Sequence, residues 1–346
     1  MQRTSTAPAK APRALLRVAI ALLLLAPAAA RGAEWVRMDR AHYIGQVPTH
    51  GEVLFDLSRI VGERAASAHS VRHGIEIELH DCTGSVWPIC VAETSGFAPA
   101  ARWEGQLSPD ESTFEGDWVP EDGSPRAPLR FERVAQERGL RADSLGFFLA
   151  CPSVTAPWFA RATEVNRALD AWAEERLTER RARPPSPEST ESWSYEIEGI
   201  GHEILSLRYH VDRSDPLAGD SAAEDAVTFG WVGREFRPLA FHDLALAGSD
   251  LEAKLEALAL AELAREGATD QSGKPLTSFG GRLAHWTAGP AGLTFRFAPL
   301  HLPSHGSSEL ERAFPEQLFA LTLPYASFDA LLDRSGPLRE WLAPTR

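Results

Sequence analysis

The sequence predicts an α+β protein. An N-terminal antiparallel β-meander, a sandwich or a small barrel, precedes an α+β domain with an antiparallel sheet and two main helices. Three observations predict this. Short runs with period-two alternation recur from Trp35 to Val134, separated by turns rich in Gly and Pro. The two long stretches of helical periodicity both fall in the second half. Finally, Gly 26 and Pro 25 supply many more turns than a helical bundle needs. At 346 residues the chain is long enough to bury two cores.

Residues 1–32 read as a secretory signal. Arg3, Lys10, Arg13 and Arg17 form a basic start, Val18 to Ala26 a short apolar core, and Pro27 ends it. Small residues at Ala28 to Gly32 suit cleavage, and the apolar run is too short to span a bilayer. The mature chain is therefore expected to be exported, periplasmic or extracellular, with no membrane span. Removing residues 1–30, which hold four basic and no acidic side chains, takes the net charge from -13 to -17. Such a charge argues against nucleic acid and anionic membrane surfaces as partners.

Residues 33–143 form the expected β-domain. Strands are predicted at 42–47, 53–58, 75–80, 89–93, 101–107, 113–119 and 129–134. Val53, Phe55 and Leu57 alternate with Leu54, Asp56 and Ser58, and Ile75, Ile77 and Leu79 alternate with Glu76, Glu78 and His80. Aromatic-x-Gly steps at Tyr43–Gly45, Trp103–Gly105 and Phe114–Gly116 mark twisted strands, with the aromatics as core. Cys82 and Cys90 flank a turn-rich loop that permits a disulfide without specifying one. Ala135 to Asp143 is charged and reads as the junction.

Residues 144–346 form the α+β domain. Leu145 to Leu149 is a buried strand, with Cys151 a small buried thiol behind it. Phe159, Ala162, Val165, Leu169, Trp172 and Ala173 recur at helical spacing, which predicts a helix over 158–183 that Pro184 ends. Strands follow at 192–198 and 203–211. In the second, Ile204, Ser206, Arg208 and His210 point one way, Leu205, Leu207, Tyr209 and Val211 the other. An acidic loop is predicted at 212–225, a strand at 227–232, and a second helix at 250–266 with Leu251, Leu255, Leu258 and Leu263 inward. Strands at 293–297 and 318–324 flank a loop with two histidines, and a short helix closes at Gly336-Pro337.

The segment Gly292-Leu-Thr-Phe-Arg-Phe-Ala-Pro299, the loop ending at Gly306, the strand ending at Pro324-Tyr325 and the Leu331-Leu332 step carry a resemblance. So do Asn166, Ile204-Leu-Ser-Leu207 and Pro238-Leu-Ala-Phe-His-Asp-Leu244. In order and spacing, residues 151–338 resemble the RsiV-type C-terminal domain of bacterial envelope proteins, a family that includes lysozyme-sensing anti-sigma factors and peptidoglycan deacetylase-associated proteins. The chain departs from that family at Asp212 to Gly219, where a Gly-Ala-His-Pro signature is usual.

No assembled chemistry stands out. His202, Glu203, His210 and Asp212 invite a metal reading, but His202 and His210 are far apart along one strand. His242-Asp243 has adjacent side chains that diverge, and Ser304 between His301 and His305 lacks a nucleophile elbow. There is no Gly-rich phosphate loop and no Cys-x-x-Cys, so no cofactor and no metal is expected. The expected function is a non-catalytic binding module of the cell envelope that engages peptidoglycan or a basic protein such as a lysozyme. The expected binding residues are Leu300, His301, Ser304, His305 and Gly306. The alternatives are a cell-wall hydrolase or deacetylase, and a small-molecule carrier with a cavity lined by Trp103 or Trp118.

Overall fold

A computed structural model describes residues 33–60, 63–71, 76–82, 89–95, 98–155, 158–159, 161–182, 188–216, 219–265, 267, 269, 274, 283, 285–297 and 319–342. The chain is α+β, as expected.

The first half is a ring of paired antiparallel strands. β1 (Glu34–Val47) pairs with β2 (Gly51–Ile60), β2 with β3 (Glu63–Ser70), and β3 with β4 (Glu76–Ile77). After Glu78 the chain continues as β5 (Leu79–Asp81), which pairs instead with β6 (Ile89–Ser95). β7 (Ala98–Leu107) and β8 (Thr113–Pro120) follow in order, and β9 (Ala127–Ala142) returns to β1. Of the two closures left open by the sequence, this is the small barrel.

Its interior is filled. Phe55, Trp103, Phe114 and Phe131 are each 0% exposed. The Phe55 ring lies 5.7, 5.6 and 5.5 Å from those of Trp103, Phe114 and Phe131, so the centre is a packed core and not a lumen. Trp118 packs at its margin. The aromatic-x-Gly steps have a steric reason. A Cβ on Gly116 would lie 2.1 Å from the Glu104 carbonyl oxygen, and one on Gly105 2.7 Å from the Phe114 ring.

β2 is buried on both faces. Val53, Phe55 and Leu57 point into the barrel, while Leu54 joins the core of the second half and Asp56 faces the same way. β9 is the spine of the molecule, pairing with β8, β1 and β10 (Phe147–Val154). One sheet therefore runs from the barrel into the second half.

α1 (Ala162–Ala182) carries the chain over to β11 (Thr190–Ile200), which pairs parallel with β10. β12 (Ile204–Asp215), β13 (Gly219–Val232) and β14 (Glu235–Pro238) extend the sheet as antiparallel strands. Val165, Leu169, Trp172, Ala173 and Leu177 of α1 are buried with Tyr195, Leu205, Leu207, Tyr209 and Val211 of the sheet. Trp172 stacks on Tyr209 at 4.9 Å. Burial of each Val or Leu among these side chains contributes about 1.5–3 kcal/mol.

The opposite face of β11–β13 is polar and receives a small sheet. β15 (Trp286–Gly289), β16 (Gly292–Phe297) and β17 (Phe319–Leu323) pack with α2 (Phe241–Leu244) and α3 (Leu251–Arg265) around Leu255, Leu263, Trp286, Leu293 and Phe295. The Ala288 N–H donates to Ser206 Oγ at 3.0 Å. Gly199 permits the approach, since a Cβ there would lie 2.0 Å from the Ala288 carbonyl oxygen.

Four segments differ from expectation. Glu63–Ser70 is a strand, because β2 and β4 pair with it although it holds no large apolar alternation. Residues 135–142, expected as a junction, are the second half of β9. The acidic segment 212–225 continues the β12–β13 hairpin, Asp212 opposite Ala222 and Asp215 opposite Gly219; its tip is largely exposed, whereas Glu224 pairs with Arg208 and Arg296. Residues 325–331 form two 3-10 turns instead of a helix. There the Leu246 N–H donates to the Leu331 carbonyl and the Asp333 N–H to that of Leu244, tying the segment to the loop after α2. The chain closes on α4 (Arg339–Leu342).

Cys82 and Cys90 form a disulfide, their Cα atoms 5.5 Å apart. Cys151 is fully buried, and burial pushes its thiol up to about 12. No helix among the described residues is long and apolar enough to cross a membrane.

Candidate functional site

Where the barrel meets the polar face of β11–β13, a cleft of about 430 Å³ opens. The barrel supplies Arg40, Asp56, Ser67, His69 and Glu76. The long sheet supplies Glu196, Glu198 and Arg208, and the small sheet Thr287, Thr294, Arg296 and Thr322. A larger groove of about 660 Å³ beside α2 and α3 is lined by Phe241, Leu246 and Trp286 and lacks such a concentration of charge.

Each arginine of the cleft is already held by carboxylates. Arg208 ion-pairs with Glu196, with Glu198 at 3.2 Å and with Glu224 at 3.9 Å. Arg296 pairs with Glu198 and, at 3.6 Å, with Glu224. Arg296 Nη1 also donates to Thr287 Oγ1 at 3.2 Å, and that hydroxyl donates to Glu198 at 2.6 Å. A hydrogen bond from His210, aided by the Arg208 charge, lowers Glu196 to about 2 against the opposing effect of burial.

Below the cleft lies a buried network that joins the halves. His42 Nδ1 is 2.5 Å from Asp56 Oδ1, and its Nε2 is 2.8 Å from the Tyr195 hydroxyl. Arg40 donates to Asp56 at 2.8 Å and to the Tyr195 carbonyl at 2.9 Å. Burial raises the Asp56 carboxyl, but His42 and Arg40 outweigh it and hold the group well below the usual range. The Asp–His–Tyr order resembles a proton relay. Both the His42 and Asp56 side chains are nonetheless buried, and burial raises Tyr195 well above the ordinary phenol value. The trio is a structural latch between β1, β2 and β11.

His69 differs from these groups. It is half-buried, and among the described residues its ring makes no hydrogen bond. Burial lowers its pKa in spite of the nearby Asp56, Glu196 and Glu198 carboxylates, so at neutral pH it presents an uncharged imidazole to the cleft.

The expected binding residues Leu300, His301, Ser304, His305 and Gly306 lie outside the described residues. His202 and His210 are not brought together. His202 stacks on Trp158 at 4.9 Å beside Glu340, whereas His210 sits 3.5 Å from Glu196 and 3.6 Å from Glu224. Among the described residues no group of three His, Cys, Asp or Glu side chains is placed to hold a metal. His242 Nε2 lies 3.5 Å from Asp243 Oδ1, so these adjacent side chains do not diverge as expected, but Asp243 is held chiefly by another partner. Its carboxylate accepts two hydrogen bonds from Arg237, at 2.9 and 2.6 Å, and His242 is exposed. Arg40, Asp56, His69, Glu198 and Arg296 were missed as a site because they come from separate strands. The one signal was a shared face, Asp56 opposite Val53, Phe55 and Leu57, and Arg208 with His210.

No family model and no curated protein matches the chain. Its neighbours among solved structures are DUF3298 family proteins. One, from Pseudomonas aeruginosa PAO1, is 13% identical over 62% of this chain and 96% of its own, with a TM-score of 0.35. Another, from Bacteroides fragilis NCTC 9343, is 10% identical over 54% of this chain and 83% of its own, with a TM-score of 0.29. A likeness of this size carries no argument about activity.

Proposed function

We propose that the protein is an exported, non-catalytic binding module of the bacterial cell envelope, engaging a peptidoglycan-related ligand or a basic protein such as a lysozyme. The observation that carries this reading is the charged cleft, which residues from both halves line and in which the arginines are internally paired. Export draws support from the basic and apolar start of the chain and from the Cys82–Cys90 disulfide, since disulfides persist in oxidising compartments. A net charge of -13, falling to -17 without residues 1–30, steers a cationic partner toward the surface. Leu300, His301, Ser304, His305 and Gly306 remain proposed contact residues, since a loop of this kind is more often a binding surface than a catalytic one.

Residues 33–346 are to be tested for retention by lysozyme and by insoluble peptidoglycan at low and moderate salt. Salt-sensitive retention by lysozyme supports a sensor or inhibitor of that class, and retention by peptidoglycan alone supports a wall-binding module. Retention by neither overturns the proposal.

A further inference from the structure

The polar groups of the cleft divide into those already satisfied and those left over. Arg40, Arg208 and Arg296, which an anionic ligand would need, are each committed to carboxylates within the protein. A ligand anion would have to displace an internal carboxylate from every one of them. The groups left over are acceptors. His69 and Glu76 face each other across the β3–β4 pair, in register, and cross-strand neighbours of this kind stand about 5 Å apart. Among the described residues neither side chain makes a hydrogen bond or ion pair. Glu196 on the facing strand is paired with Arg208 and His210, yet its side chain stays 47% exposed to the cleft.

The lining therefore holds Asp56, Glu76, Glu196 and Glu198 against Arg40, Arg208 and Arg296, with Glu137 and Glu224 behind the arginines. The surplus is negative, and the uncommitted lone pairs sit on one side of the space. We infer that the cleft takes a positively charged nitrogen group, a primary ammonium or a guanidinium, with His69 accepting its hydrogen bond, Glu76 as its free counter-charge and the exposed side of Glu196 facing it. On a protein partner this group is a lysine or arginine side chain, and on a wall peptide the free amine of a diamino acid. The inference rests on the cleft as the ligand seat and adds the chemistry of what it seats.

The test uses residues 33–346 with putrescine and arginine methyl ester as cationic probes, N-acetylglucosamine as a neutral probe and acetate as an anion. Binding is read by calorimetry and by the imidazole proton resonance of His69. The cationic probes are expected to shift that resonance saturably, and Glu76→Gln to weaken them about tenfold, the loss of one charge-assisted contact. Glu174→Gln, on the exposed face of α1, is the control and leaves binding unchanged. Glu76 is exposed, so its amide variant keeps the fold, which the dispersion of the same spectra verifies. A shift of His69 by acetate or N-acetylglucosamine but not by the cations overturns the inference. So does an equal loss in both variants, which would mean diffuse counter-ion attraction. Retention of lysozyme or peptidoglycan by Glu76→Gln at the wild-type level sinks the cation seat and leaves the binding module standing. Putrescine binding without retention of either polymer or protein does the reverse.

Discussion

Asp56 is buried between His42 and Arg40, and its charge survives burial only because both partners are in place. The folded-state value lies below that of the unfolded chain. Its contribution to stability is thus fully present above the unfolded carboxylate value of about 4, and is lost as pH falls from there toward the folded value. Asp56→Asn leaves the Arg40 guanidinium short of a counter-charge and His42 Nδ1 without its carboxylate in a buried setting, and is expected to cost about 3–5 kcal/mol at neutral pH. In urea titrations the variant should also have a flatter acid limb, because the group that titrates is gone. An unchanged acid limb would mean that the linkage resides elsewhere. Cys151 offers a second check at this scale. A thiol raised to about 12 and fully enclosed should not react with a disulfide reagent in the native state and should react once the chain is unfolded.

Among the elements, α1 is pinned as well as packed. The Asn166 side chain accepts from the Val154 N–H at 2.8 Å and donates to the Val154 carbonyl at 3.0 Å, so it closes the end of β10 as another strand would. Asn166→Ala leaves two backbone groups of β10 without partners and should cost about 1–3 kcal/mol by chemical denaturation. The Cys82–Cys90 disulfide spans a sequence separation of 8, and by loop entropy its reduction should cost about 2–3 kcal/mol, visible as a lower Tm under reductant. These elements were unequally legible in the sequence. Strands such as Gly51–Ile60 and the helix Ala162–Ala182 repeat large apolar residues at the period of the structure, so their pattern is sufficient. Glu63–Ser70 carries only Ala, Ser, Arg, Glu and His, and it is a strand because its neighbours offer hydrogen bonds. The hairpin through 212–225 was hidden for a related reason, since around its tip both faces are largely exposed and no apolar residues alternate. The cleft was legible one wall at a time. Arg208 and His210 announced a polar face, but the Glu198, Arg296 and His69 that complete it belong to strands distant in sequence.

At the scale of the whole molecule, the barrel and the second half share more than a seam. β9 pairs with β8 and β1 of the barrel and also with β10 of the second half. Ile44 and Leu54 of the barrel strands lie in the same core as Leu149, Tyr195 and Leu207. The latch of His42, Asp56 and Tyr195 crosses the same boundary. Chains of this length often unfold in stages, domain by domain. Here, parting the halves would strip β10 of its antiparallel partner, open that core and leave the Asp56 charge exposed to only part of its network. Those costs fall on both halves at once and couple them. Residues 33–346 are therefore expected to show a single calorimetric transition, with van't Hoff and calorimetric enthalpies in agreement, and Asp56→Asn should move that one transition as a unit. Two resolved peaks, with only one shifted by Asp56→Asn, would show that the halves unfold independently. Since both halves wall the cleft, a ligand seated there should raise the same single transition, by an amount that grows with the logarithm of its concentration above Kd.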